Sequence, residues 1–125
     1  LKRRREIIAR YDAALKPLGV KVLPHYTSEH ESSGHLYITE IPNITYEQRG
    51  EIITKMAERD IACNVHYKPL PMHTAYKELG FDIQNYPNAY NHFAHEITLP
   101  LHTCLTDEQV EYVIDNFVVI LRGYL

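Results

Sequence analysis

Tryptophan is absent from this 125-residue sequence, and cysteine is nearly so, present only at Cys63 and Cys104. Two cysteines in a domain of this size do not build a disulfide framework, so a reducing, cytoplasmic setting is the expectation. Glycine is sparse too. The five glycines are dispersed, so no glycine-rich loop is present to cradle a phosphate. No apolar run reaches bilayer length, and no stretch reads as a signal peptide. An excess of one charge is lacking as well. The formal net charge of -3 argues against nucleic acid or an anionic membrane as partner. The one basic run, Lys2-Arg3-Arg4-Arg5, opens a helical pattern and reads as a solvated or domain-contact face. Repeats and low-complexity tracts are missing. So is a first methionine, since the chain starts at Leu1; it is expected to be a piece of a longer protein.

What is present is an ordinary globular composition, 45% hydrophobic and 23% charged, enough for one domain over residues 1–125. Ile7, Ile8, Tyr11, Ala14 and Leu15 fall on one face at helical spacing, with Pro17 and Gly19 as stop signals. "VKVLP" (20–24) reads as a short strand, and "HYTSEHESSG" after it as a loop. "HLYITEI" (35–41) alternates, with Leu36 and Ile38 to one side and Tyr37 and Thr39 to the other, the mark of a half-buried strand. A helix over 43–60 follows, with Thr45 and Gln48 spaced as a capping box and Ile52, Ile53, Met56 and Ala57 as its apolar stripe. "IACNVHY" (61–67) is a third strand, ended by Pro69 and Pro71.

Pro87 begins a short helix, and "EITLPL" (96–101) is a fourth strand, cut by Pro100. The last helix starts at Thr106, again with a capping-box glutamine at 109. Val110, Val113, Ile114, Phe117 and Leu121 form its stripe. These elements predict an α+β, two-layer sandwich: a mostly antiparallel sheet of about four strands with helices packed on it.

Eight histidines raise the question of a metal. His92 and His95 share a helix face, but no third ligand and no compact signature accompany them, so no metal site is assigned. Cys63, in a strand, reads as inert packing rather than as half of a Cys/His nucleophile pair. The stretch "NVHYKPLPMHTAYKELG" (64–80) is different. Its strand ends in His66-Tyr67 and turns at Pro69, which sets an imidazole and a phenol at the sheet edge. Both offer hydrogen bonds and a flat apolar face, suited to a sugar or a heterocycle. A tyrosine-rich loop packing on its own domain is the equally open alternative.

The ordered pieces "RRREIIARYDAAL", "HLYITEI", "NVHYKPL" with Tyr76, and "YPNAYNHFAHEITLPLHTCLTDEQVEYVIDNF" resemble the C-terminal part of the DegT/DnrJ/StrS sugar aminotransferases. The resemblance covers nearly the whole chain. It implies the small C-terminal domain of a pyridoxal-phosphate enzyme of fold type I. Such enzymes move an amino group, usually from glutamate, onto a nucleotide-linked keto-sugar in amino-sugar and polysaccharide biosynthesis, typically as homodimers. It also implies that His66 and Tyr67, with Tyr76 and His35, face the sugar substrate. Two departures stand out. Many relatives carry a histidine two residues after the proline of the "HYxP" motif, where this chain has Pro71 and the nearest histidine is His73. And Lys2, Lys16, Lys21, Lys55, Lys68 and Lys77 all fall in small-domain segments. The cofactor-binding lysine and the large domain are therefore expected outside this chain, leaving the isolated chain inactive. The alternative is a free-standing α+β ligand-binding or regulatory module. The reading frame upstream of Leu1 separates the two.

Overall fold

The computed structural model describes residues 1–125. Helix α1 (Lys2–Leu15) buries Ile7, Ile8, Tyr11 and Leu15, the predicted stripe, with Ala14 at its margin. A 3-10 turn over Lys16–Leu18 ends it, and Gly19 takes the left-handed conformation at φ 84° that closes the turn. Strand β1 (Lys21–Val22) is shorter than predicted; β2 (Tyr37–Glu40) and β3 (Glu96–Leu99) complete one antiparallel sheet in the order β1-β2-β3. Lys21 pairs with Glu40, Tyr37 with Leu99, and Glu40 with Glu96. Helices α2 (Tyr46–Ala57) and α5 (Asp107–Leu121) both carry the complete capping boxes predicted from Thr45/Gln48 and Thr106/Gln109. Between α2 and β3 lie a one-turn α3 (Thr74–Glu78), two 3-10 turns and α4 (Pro87–His95).

The α+β, two-layer architecture is as predicted, but the sheet has three strands rather than four. The segment 61–67 makes only one antiparallel bridge, Asn64 to Thr98, bonded both ways at 3.1 and 2.8 Å. That register faces Ala62 with Pro100 and His66 with Glu96. Pro100 has no N–H to give Ala62. At the other end the His66 N–H goes to the Glu96 side chain at 2.9 Å instead of to its backbone carbonyl. The ladder therefore stops after one pair on either side.

Alternation decides which sheet face is core. Tyr37, Thr39, Ile97 and Leu99 point into the helices and are buried. There they meet Ile7, Tyr11, Ile52, Met56, Val110 and Phe117. The buried face of β2 is thus Tyr37 and Thr39, while Ile38 opposite is half-exposed. Thr39 donates its hydroxyl to the Ile97 carbonyl at 2.6 Å, and Tyr37 donates to Asp12 at 2.5 Å, so neither polar group is stranded. The basic run at the start of α1 lies on the surface, as expected, and three of its side chains are tied back to the chain. Arg3 bonds the Leu105 carbonyl (2.7 Å) and Asp107 (2.7 Å), Arg4 bonds the Gly34 carbonyl (2.9 Å), and Arg5 pairs with Glu31.

Candidate functional site

The sheet face turned away from α1, α2 and α5 is polar. In register order it carries Lys21, Glu40 and Ile38, then Glu96 and Thr98, then Asn64 and His66. Glu40 and Glu96 lie directly opposite each other, an unfavourable pairing for two carboxylates. Each is given its own partners. Glu40 pairs with His92 from the last turn of α4. Glu96, with no solvent exposure, accepts the His66 N–H on Oε2 (2.9 Å) and the Thr98 hydroxyl on Oε1. His66 closes this group through Nδ1, 2.8 Å from the Thr98 hydroxyl. Its ring stands edge-on to Tyr67, centroids 4.6 Å apart at 89°.

Tyr67 is 71% exposed, so most of its side chain is open to the surroundings. Downstream, Tyr76 lines an apolar pocket of about 440 Å³ with Pro69, Leu70, Pro71, Phe81 and Tyr86. The closely spaced prolines and aromatics of 64–80 build this pocket, and Tyr76 meets Phe81 edge-on at 6.0 Å. His66 and Tyr67 therefore sit together, and Tyr76 lies on the same segment. His35 is exposed, and its side chain makes no hydrogen bond. It lies two residues before β2, beyond the end of that strand opposite to Glu40, the residue level with Glu96 and His66. His73 is exposed, with Nε2 3.2 Å from the Lys68 carbonyl.

His92 and His95 do share a pocket, of about 360 Å³, with Lys21, Glu40, Asn43 and Asn91. Its walls are hydrogen-bonding groups, and no three His, Cys, Asp or Glu side chains gather there in ligand geometry. Burial pushes the Cys63 thiol up to about 12, so almost no thiolate is available at neutral pH. Sequence reasoning missed Glu96, Thr98 and Arg49. The signal for the first two is present in "EITL": residues two apart on a strand share a face. For Arg49 there is no such signal. It is buried, donates to the Phe93 carbonyl (3.0 Å) and stacks on Tyr46 and Phe93.

The residues matched by the family model are 1–118, and the family is the DegT/DnrJ/EryC1/StrS aminotransferases. The chain belongs to this family, whose members use pyridoxal phosphate. The spore coat polysaccharide biosynthesis protein SpsC of Bacillus subtilis is 30% identical over 98% of this chain and 32% of its own length. The dTDP-4-dehydro-2,3,6-trideoxy-D-glucose 4-aminotransferase of Saccharopolyspora spinosa is 32% identical over 94% of this chain and 29% of its own. Among solved structures, Spr1654 of Streptococcus pneumoniae, a provisionally assigned sugar aminotransferase in its PMP form, superposes with a TM-score of 0.95. It is 50% identical over 99% of this chain and 31% of its own. The chain thus spans about three-tenths of the length of these relatives.

A cofactor site needs a lysine desolvated or flanked by cations, and a grip for a phosphate. All six lysines here are exposed; Lys55 is bonded to the Tyr124 phenol at 2.8 Å. The residues of this chain do not by themselves fit pyridoxal phosphate.

Proposed function

We propose that this chain is the small, substrate-side domain of a sugar aminotransferase that takes a nucleotide-linked keto-sugar, with glutamate as amino donor and a homodimer as the working unit. The cofactor-binding lysine and phosphate grip belong to polypeptide outside these 125 residues. One observation carries this reading: at the sheet edge a half-buried His66, held from behind by a buried carboxylate and hydroxyl, stands beside an exposed Tyr67. Sugars present hydroxyls in fixed directions together with an apolar C–H face. An anchored imidazole and a ring 71% exposed match both, and an anchored group loses little freedom on binding. The apolar pocket around Tyr76 begins at Pro69, two residues beyond Tyr67, and suits a flat, less polar part of the substrate. The named activity of the Saccharopolyspora spinosa relative, amination of a nucleotide-linked sugar, is consistent with this reading.

The test uses the enzyme that carries this sequence. His66→Ala is expected to lower kcat/KM for the nucleotide-sugar about tenfold or more, since a tenfold loss is about 1.4 kcal/mol, the strength of one good hydrogen bond. Tyr67→Phe should do the same more weakly. Cofactor absorbance should be unchanged in both. Lost absorbance with undiminished sugar turnover overturns the placement.

A further inference from the structure

We infer that Glu96 and Thr98 are positioning residues: a hydrogen-bond relay that locks His66 in its Nδ1–H tautomer and leaves Nε2 facing outward as an acceptor for a sugar hydroxyl. The substrate half of this rests on the function proposed above; the tautomer half rests on the chain alone.

The relay follows from counting protons. Glu96 is completely buried on β3 and has no salt-bridge partner, so hydrogen bonds alone must satisfy its carboxylate. Oε2 is taken by the backbone N–H of His66 at 2.9 Å, a fixed donor that cannot be reversed. Oε1 is taken by the hydroxyl of Thr98, two residues along the same strand face. A threonine hydroxyl has one proton. Having spent it on the carboxylate, Thr98 Oγ1 can only accept from its other neighbour, His66 Nδ1 at 2.8 Å. Nδ1 therefore carries the ring proton.

In a neutral imidazole the second nitrogen is then a bare acceptor. Nε2 of His66 has no bond within the chain, and it is not among the buried atoms without a partner, so it opens to the surroundings beside Tyr67. Thr98 is itself 5% exposed, which keeps water from competing for the relay. The arrangement sets the direction of the outward group. An acceptor at Nε2 selects a donor on the ligand, such as a sugar hydroxyl, and disfavours a carbonyl oxygen at that point. The relay holds one register only because the "E-x-T" pair lies opposite His66 across the Asn64–Thr98 bridge.

The test is long-range proton–nitrogen correlation NMR on the 15N-labelled chain, without substrate, at alkaline pH where imidazoles are neutral. The expected spectrum shows His66 Nδ1 as pyrrole-type and Nε2 as pyridine-type. Thr98→Val keeps the branched shape but removes the hydroxyl, and should shift most of the His66 population to the Nε2–H form that free histidine favours. Thr98→Ser restores the hydroxyl and should return the wild-type pattern. The wild-type spectrum alone decides if Thr98→Val does not fold. A wild-type Nε2–H tautomer overturns the relay, since it means that Glu96 holds a proton and that the Glu96–Thr98 and Thr98–His66 bonds both run the other way. An unchanged Nδ1–H tautomer in Thr98→Val overturns it too. The two proposals fail separately. A pinned Nδ1–H with a fully active His66→Ala enzyme removes the substrate role and keeps the relay. A sugar-defective His66→Ala enzyme with the wrong tautomer removes the relay and keeps the substrate role.

Discussion

His25 brings an imidazole into the protein with only one nitrogen bonded. Nδ1 lies 2.9 Å from the Ser32 hydroxyl, whereas Nε2 is buried with no partner, and the ring stacks on Tyr37 at 5.9 Å. Burial lowers its pKa from the ordinary 6.5, and nearby Asp12 only partly opposes this. The folded chain therefore keeps His25 neutral at a pH where the unfolded chain protonates it. With the folded value depressed, the unfolded state binds the extra proton. Stability is then full above about pH 6.5 and falls as pH drops from there toward the lower folded value. The slope for one proton is at most about 1.4 kcal/mol per pH unit. His25→Phe keeps the stacking and removes the proton site, so urea midpoints measured from pH 7.5 to 5 should decline less steeply than wild type. Parallel declines would show that His25 does not titrate in this way. Nothing in "LPHYTSEHES" announced this residue. Its burial depends on Tyr37, twelve positions on, and local pattern does not carry such distances. The place of His66 and Tyr67 beside the sheet was legible in part: prolines close their segment as the pattern suggested, although that segment makes one bridge rather than a strand.

Elements with local causes were the readable ones. Both capping boxes form as spelled, and the α5 stripe from Val110 to Leu121 is buried as its spacing requires. The strand at 61–67 was misread because its pairing depends on a proline and a carboxylate in a different segment, Pro100 and Glu96. Two substitutions test the local account in opposite directions. Gly50 sits inside α2, and a Cβ added there meets nothing within 4 Å. Gly50→Ala should therefore stabilise the chain by up to about 1 kcal/mol, the difference in helix propensity. Thr106→Ala removes the side-chain acceptor for the Gln109 N–H, now at 3.1 Å, and should cost about 1 kcal/mol. Denaturant midpoints should move up for the first and down for the second with unchanged slopes. A Gly50→Ala midpoint at or below wild type would mean that α2 needs the glycine for a contact this chain does not contain.

The molecule as a whole has an imbalance that none of its elements has alone. One sheet face is sealed by α1, α2 and α5. The other is polar and is covered only in part, by the His66 segment and α4. Of the twelve large hydrophobic side chains left exposed, five lie between Tyr67 and Phe81 and a sixth is Tyr86, so the exposure is concentrated rather than scattered. A concentrated apolar patch marks a surface that is covered in the working state. On the function proposed here, the rest of the enzyme and the substrate cover it. Taken alone, the chain has only copies of itself for that purpose. Sedimentation of the 125-residue chain should then show an average mass that rises with concentration. Leu79 is 74% and Phe81 46% exposed, so Leu79→Lys with Phe81→Lys removes little core packing. This double variant should stay monomeric at concentrations where the wild type associates, with a melting temperature within a few degrees of it. If the wild type remains monomeric at several hundred micromolar, the aromatic segment does not seek a protein surface. Its apolar pocket would then be shaped for the substrate alone.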